Sequence, residues 1–224
     1  MIKTSITLLY LLLEISQILA QPVALFPKGS QLNASIAVRA GWAERNEFTF
    51  EDAFPFIIYL KGGKSTSISM SMGSNYLGFN LQYLNDRFDI DIDKTIANQA
   101  SIMSIELAFS GQKRLQSTGF LIGPYIGSNF GKKKRFRAEI IPAIGMISTT
   151  SPHVKISYSS GGSSFPGPEI HTRFIYSIGL GAEYAFAKGF AIGAMWRDTF
   201  NNTTHFYNES LNNVLISLSY RLLL

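Results

Sequence analysis

The chain has 224 residues and a formal net charge of +5, and it is 46% hydrophobic but only 16% charged. Soluble domains carry about 25% charged residues, and disordered chains pair low hydrophobicity with high charge, so neither description fits. The absence of cysteine excludes disulfide frameworks, thiolate metal sites and cysteine nucleophiles.

Residues 1–20 read as a secretory signal peptide, with Lys3 as the positive start, an apolar run from Ile6 to Leu13 interrupted at Glu14, and Ala20 before the cleavage point. That run is shorter than the roughly 20 apolar residues of a membrane-spanning helix. Removal would leave a single domain over 21–224.

Downstream, the period is two. Ile36, Val38, Ala40 and Trp42 oppose Ser35, Ala37, Arg39 and Gly41. Residues 50–60 and 65–72 flank Lys61-Gly62-Gly63-Lys64 and read as a hairpin, in which Pro55 disturbs the first strand. Ile68, Met70 and Met72 alternate with serines, and the phase then flips, with Leu77, Phe79, Leu81 and Tyr83 at odd positions. Phe120, Ile122, Pro124 and Ile126 oppose Gly119, Gly123, Tyr125 and Gly127. Phe136, Ile140, Ile144 and Met146 oppose Arg137, Glu139, Ala143 and Gly145. Phe174, Tyr176, Ile178, Leu180, Tyr184 and Phe186 oppose Arg173, Ser177, Gly179, Gly181 and Glu183. Phe190, Ile192, Ala194 and Trp196 oppose Ala191, Gly193, Met195 and Arg197. Val214, Ile216, Leu218, Tyr220 and Leu222 oppose Ser217, Ser219 and Arg221.

The second face decides the environment. A soluble barrel needs abundant Lys and Glu on its outer face. Here that face is mostly Gly, Ser and Ala with one or two charges per strand, which suits a narrow polar lumen. The apolar face then points to lipid. Backbone groups in lipid must all be hydrogen-bonded, so the strands must close without edges. The expectation is an all-β, transmembrane, antiparallel up-and-down β-barrel. Three connections are short and basic: Lys61–Lys64, Gly131–Arg135 and Ala187-Lys188-Gly189. Four others, near 43–49, 85–116, 148–170 and 201–211, are longer. Short turns on one side and long loops on the other mark outer-membrane barrels, and both barrel ends fall on the short-turn side. The phase flip at Gly73-Ser74-Asn75 needs a bulge or a turn. A bulge leaves eight strands and a large 85–116 loop. A turn adds a hairpin from 76–84 and 102–109, making ten. Eight is preferred, because the three basic turns already pair off the other strands.

The glycine-rich alternating strands and the final strand Val214-Leu215-Ile216-Ser217-Leu218-Ser219-Tyr220-Arg221-Leu222 resemble small bacterial outer-membrane β-barrel proteins, closest in flavour to the porin-like barrels common in Bacteroidetes. The resemblance covers about residues 31–224 and rests on pattern, not on a signature motif. It implies an outer-membrane location, a lipid bilayer as surroundings and the outer-membrane assembly machinery as a partner. Such families usually end on an aromatic residue, whereas this chain ends in Leu224.

The run Asp86-Arg87-Phe88-Asp89-Ile90-Asp91-Ile92-Asp93 places Asp89, Asp91 and Asp93 on one face of a strand. Alternate carboxylates suit calcium, but the plainer reading is a solvated acidic end of a surface hairpin. His153, His171 and His205 fall in or beside long loops with Ser151, Glu169 and Glu209. A Ser–His–acid site is conceivable there, yet no spacing demands it, so no enzyme and no cofactor are expected. The lumen charges Arg39, Arg137, Glu139, Arg173, Glu183, Arg197 and Arg221 either tune a pore or form ion pairs that fill a closed barrel. Eight strands leave room for little beyond side chains, which favours filling; ten would favour a small pore. Trp42, Phe50, Tyr59, Phe130, Phe136, Phe186, Phe190, Trp196, Phe200 and Tyr220 lie near strand ends, where interfacial aromatic girdles sit. The basic residues lie in turns and at alternating strand positions, not on one stripe, so nucleic acid is not an expected partner. The reading is an outer-membrane barrel with a structural or surface-interaction role. Its rivals are a small pore, a barrel enzyme acting on lipid or peptide, and a soluble lipocalin-like barrel.

Overall fold

A computed structural model of the chain describes residues 32–45, 47–50, 56–102, 105–110, 114–131, 133, 135–150, 152–158, 163–164, 170–201 and 210–223. The predicted signal peptide and its boundary at residue 21 lie outside the described residues.

The segments with period-two alternation form long strands. In chain order these are β1 (Asn33–Glu44), β2 (Glu47–Phe50), β3 (Phe56–Gly73) and β4 (Leu77–Ile90). A helix, α1 (Ile92–Ile102), and β5 (Ile105–Ser110) come next. They are followed by β6 (Arg114–Phe130), β7 (Phe136–Thr150), β8 (His153–Tyr158), β9 (Ser163–Ser164), β10 (Ile170–Ala187), β11 (Phe190–Asn201) and β12 (Ser210–Leu223). The main sheet runs β1-β12-β11-β10-β7-β6-β4-β3 and closes through β1–β3, all neighbours antiparallel. It is a closed barrel of eight strands. β1 seals it on both flanks: Asn33 pairs with Leu223 on one side and with Gly73 on the other. Both ends of the barrel chain therefore lie at the short-turn rim.

The strand count agrees with the expectation, but the allocation does not. Lys61-Gly62-Gly63-Lys64 is not a turn. It lies inside the 18-residue β3, where the pairing with β4 shifts register between Leu60 and Gly63. A Gly-Gly pair between lysines looks like a turn, but glycine within a strand also marks a bulge or a close backbone approach. Here a side chain on Gly63 would run into the Arg87 carbonyl oxygen. The turn is instead at Gly73-Ser74-Asn75-Tyr76. Ser74 Oγ accepts from the backbone N–H of Tyr76 (3.2 Å) and Leu77 (3.0 Å), and the Ser74 N–H donates to the Leu77 carbonyl at 2.8 Å. A turn there does not make ten strands, because the turn predicted upstream is absent. Residues 105–110 do form a strand, but they pair with β8, and β8 with β9, in a separate three-stranded sheet. The expected loop over 85–116 shrinks, since β4 continues to Ile90 and β6 begins at Arg114. The other two basic connections are hairpin turns, each holding a glycine at positive φ, Gly131 at 85° and Gly189 at 80°.

The two faces separate cleanly. Large apolar side chains on the outside are left uncovered: Trp42 is 68% exposed, Ile126 55%, Ile216 57% and Leu218 55%. Aromatic rings gather at both rims. Near the short turns, Phe136 meets Tyr184 and Phe190 meets Tyr220, with centroids 4.9 and 4.7 Å apart. Near the long loops, Tyr176 contacts Phe174 and Phe200 at 5.4 and 6.5 Å. Tyr59 departs from the expected girdle. Its ring receives Lys94 of α1 at 4.2 Å. The side chain of Phe50 lies outside the described residues.

Candidate functional site

The barrel interior is the candidate site. Odd positions of β1, β6, β7, β10, β11 and β12, and even positions of β4, point inward, so alternation alone aims one charged residue after another into the lumen. Arg39, Arg137, Glu183 and Arg197 are buried, while Glu139, Arg173 and Arg221 are partly buried.

Two charge groups occupy different heights. Toward the short turns, Arg39 Nη2 lies 3.8 Å from Glu139 Oε1, and Arg137 Nε donates to Glu139 Oε2 at 3.2 Å. Arg221 Nη2 stands 3.6 Å from Glu183 Oε2. Arg39 also donates to the Ser69 hydroxyl. Arg137 lays its guanidinium over the Tyr125 ring at 4.9 Å. Small residues make this possible. A β-carbon on Gly127 would press to 3.0 Å from Arg137 Nη2, and one on Gly193 to 2.8 Å from Glu183 Cγ.

Nearer the long loops, Arg197 Nη2 faces Asp86 Oδ1 at 3.9 Å, with side chains 1% and 0% exposed. Arg197 also donates to Gln82 Oε1 (3.4 Å) and to Ser65 Oγ (3.5 Å). With the Asn213 carboxamide turned so that its nitrogen donates to the Asn212 carbonyl (2.8 Å), its oxygen accepts from Arg197 and from Ser65. Arg45, also buried, directs its charge toward Asp86. Asp86 and Arg45 fall in the expected loops 85–116 and 43–49, so the chain alone does not place them in the lumen. The signal for Asp86 was present, since the inward phase of Gly78, Asn80 and Gln82 continues unbroken through Leu84 to Asp86.

The lumen is also less polar than its glycines and serines suggest. Ile58, Leu84, Phe88, Leu115, Ile147, Ile175 and Leu211 form a buried cluster inside the loop-side half, with Leu60, Ile92 and Phe109 packed against it. A smaller group, Tyr125, Ile141, Met195 and Leu215, sits apart from it.

Asp89, Asp91 and Asp93 do not share a strand face. Asp89 is the next-to-last residue of β4, and its Oδ1 accepts from Arg114 Nε at 2.9 Å on the surface. Asp91 caps α1, its Oδ1 accepting from the Lys94 N–H (3.2 Å) and its carbonyl from the Thr95 N–H (2.9 Å). Asp93 lies in the first helical turn, where a carboxylate is favoured by the helix dipole. The chain turns into a helix after Ile90, so strand alternation stops halfway through the run. Among the described residues no group of three His, Asp or Glu is placed to hold a metal ion. His171 lies near the start of β10 opposite Thr149. The side chains of His153 and His205 lie outside the described residues.

Fold and site together define a closed antiparallel barrel with an apolar outside and buried ion pairs inside. No protein-family model matches the chain, and no curated protein does either. Among solved structures, it is similar to Neisserial surface protein A at 13% identity, covering 84% of this chain and 96% of that one, with a TM-score of 0.44. It is also similar to Ail of Yersinia pestis, solved in complex with the heparin analogue sucrose octasulfate, at 12% identity over 86% and 99% of the two chains, with a TM-score of 0.43. A major outer membrane protein from Thermus thermophilus is 10% identical over 84% and 99%, with a TM-score of 0.42.

Proposed function

We propose that the chain is an integral outer-membrane barrel protein of the small bacterial kind, akin to the porin-like barrels common in Bacteroidetes. It is exported by the segment 1–20 and serves a structural or surface-interaction role, not a catalytic one. The observation that carries this reading is the inversion of the two faces. Large apolar side chains stand exposed around the barrel while arginines and carboxylates are buried within it, which is stable only where the outer solvent is lipid. The aromatic rims fit the two membrane interfaces. By the usual arrangement of such barrels, the short turns face the periplasm and α1 and the small β5-β8-β9 sheet face outward. The alternate apolar positions of β12 suit recognition by the outer-membrane assembly machinery.

The lumen is read as filled. The ion pairs and the apolar cluster occupy different heights, and eight strands leave an interior just wide enough for side chains. Two measurements test this. Expressed with its leader in a Gram-negative host, the protein partitions with the outer membrane and migrates differently on gels before and after boiling. In planar bilayers it produces no stable conductance steps. Recovery as a soluble periplasmic species would overturn the membrane reading. Regular channel events would overturn the filled lumen and favour a small pore.

A further inference from the structure

At the short-turn rim the barrel opens into a cavity of about 670 Å³, lined by Arg135, Arg137, Lys188 and Arg221 with Glu183 and Asn129 among its walls. That volume lies within the range of small-molecule sites. Its charge is unbalanced. Arg39, Arg137 and Arg221 share two carboxylates, Glu139 and Glu183. Arg135 and Lys188 add two further cations at the edge, and among the described lining residues the carboxylate is Glu183, which already faces Arg221. Arg137 and Arg221 form the floor, each held by one carboxylate. A guanidinium has five N–H donors in a planar fork that fits an oxyanion, so each keeps donors for a second acceptor. Arg135 and Lys188 are exposed and reach the site from the hairpin turns after β6 and β10. The walls are partly apolar, and the Arg137 side chain is largely out of bulk water while Arg221 is partly so, which strengthens charge-assisted hydrogen bonds there.

We propose that this mouth binds a compact oxyanion of two or more negative charges, on a phosphate-, pyrophosphate- or sulfate-bearing molecule. Arg137 and Arg221 hold it from below, and Arg135 and Lys188 close over it. The site depends on the barrel mouth and stands apart from the lipid and filled-lumen readings.

The test titrates inorganic pyrophosphate into the full chain folded in zwitterionic detergent micelles, followed by calorimetry. Expected is saturable binding of one anion per chain, weakened as salt rises and weakened at least tenfold in the double variant Arg135→Gln/Lys188→Gln. Both positions are solvent-exposed, so the fold is retained. Lys61→Gln/Lys64→Gln removes the same charge near the opposite rim and leaves affinity unchanged. Absence of saturable binding, or equal weakening by the two double variants, would overturn the site and reduce the effect to net charge. Repeating the titration in phosphatidylcholine nanodiscs of matched surface charge, made anionic with phosphatidylglycerol or with the monoester phosphatidic acid, separates the sources. Weaker apparent affinity with phosphatidic acid than with phosphatidylglycerol assigns the site to a headgroup, and equal affinity in the two assigns it to a soluble anion.

Discussion

Removing the Asp86 carboxylate tests whether the lumen is dry where Arg197 crosses it. The two side chains approach to 3.9 Å and are 0% and 1% exposed. At that distance, with an effective dielectric of 20, Coulomb attraction is about 4 kcal/mol. Breaking one partner of a buried pair typically destabilises by about 3–5 kcal/mol, because the other charge is left unmatched. Asp86→Asn strands Arg197, whose remaining neighbours Gln82, Ser65 and Asn213 are neutral. Arg197→Met leaves Asp86 with the Arg45 charge still acting on it. The expected order is therefore Asp86→Asn near the top of that range and Arg197→Met near the bottom. The double variant should lose less than the sum of the two by about 2 kcal/mol or more, the coupling expected of residues in one network. The assay is urea unfolding in phospholipid vesicles, followed by the fluorescence of Trp42 and Trp196. Additive losses below about 1 kcal/mol each would refute the reasoning, because that is the behaviour of a solvated pair. Water would then reach this level of the lumen.

Three further outcomes follow from the same geometry. Val38→Arg sits near the middle of β1 on the outer face, between Leu218 and Ile68, and should destabilise by about 2–4 kcal/mol in vesicles. Leu222→Arg, at the rim, should lose no more than about 1 kcal/mol in the same measurement; equal losses would place lipid elsewhere. Gly189→Ala forces a side chain into a φ of 80° and toward the Tyr220 ring at 2.7 Å, and should lower vesicle unfolding stability by about 1–3 kcal/mol. Tyr125→Phe removes the hydroxyl that donates to the Ser74 carbonyl at 2.6 Å, and should destabilise by about 1–3 kcal/mol. Backbone amide exchange should quicken at the 73–77 turn and not at 131–135.

The alternation of side chains is local, so a reader of the chain alone can assign faces. Ile216 and Leu218 are out, Ser217 and Arg221 are in, and β12 bears this out residue by residue. The same two-residue period, with the scarcity of charge on one face, is enough to imply closure. Eight strands are legible in the chain, but their allocation is not. Gly62-Gly63 has the composition of a turn and is a bulge in β3, and the true turn is the phase flip itself.

What the sequence by itself determined is which residues meet the outer solvent, since a strand turns its side chains in strict alternation whatever it pairs with. Only the tertiary structure decided what the inward residues meet. Asp86 and Arg197 come from strands far apart in the chain, as do Arg39 and Glu139, and their pairing depends on register accumulated around a closed sheet. The helix after Ile90, the small sheet of β5, β8 and β9, and the apolar cluster under the loops follow the same rule. The helix is tied to Tyr59 of β3, and Ile92 and Phe109 pack against the buried cluster, contacts that only the closed barrel brings together.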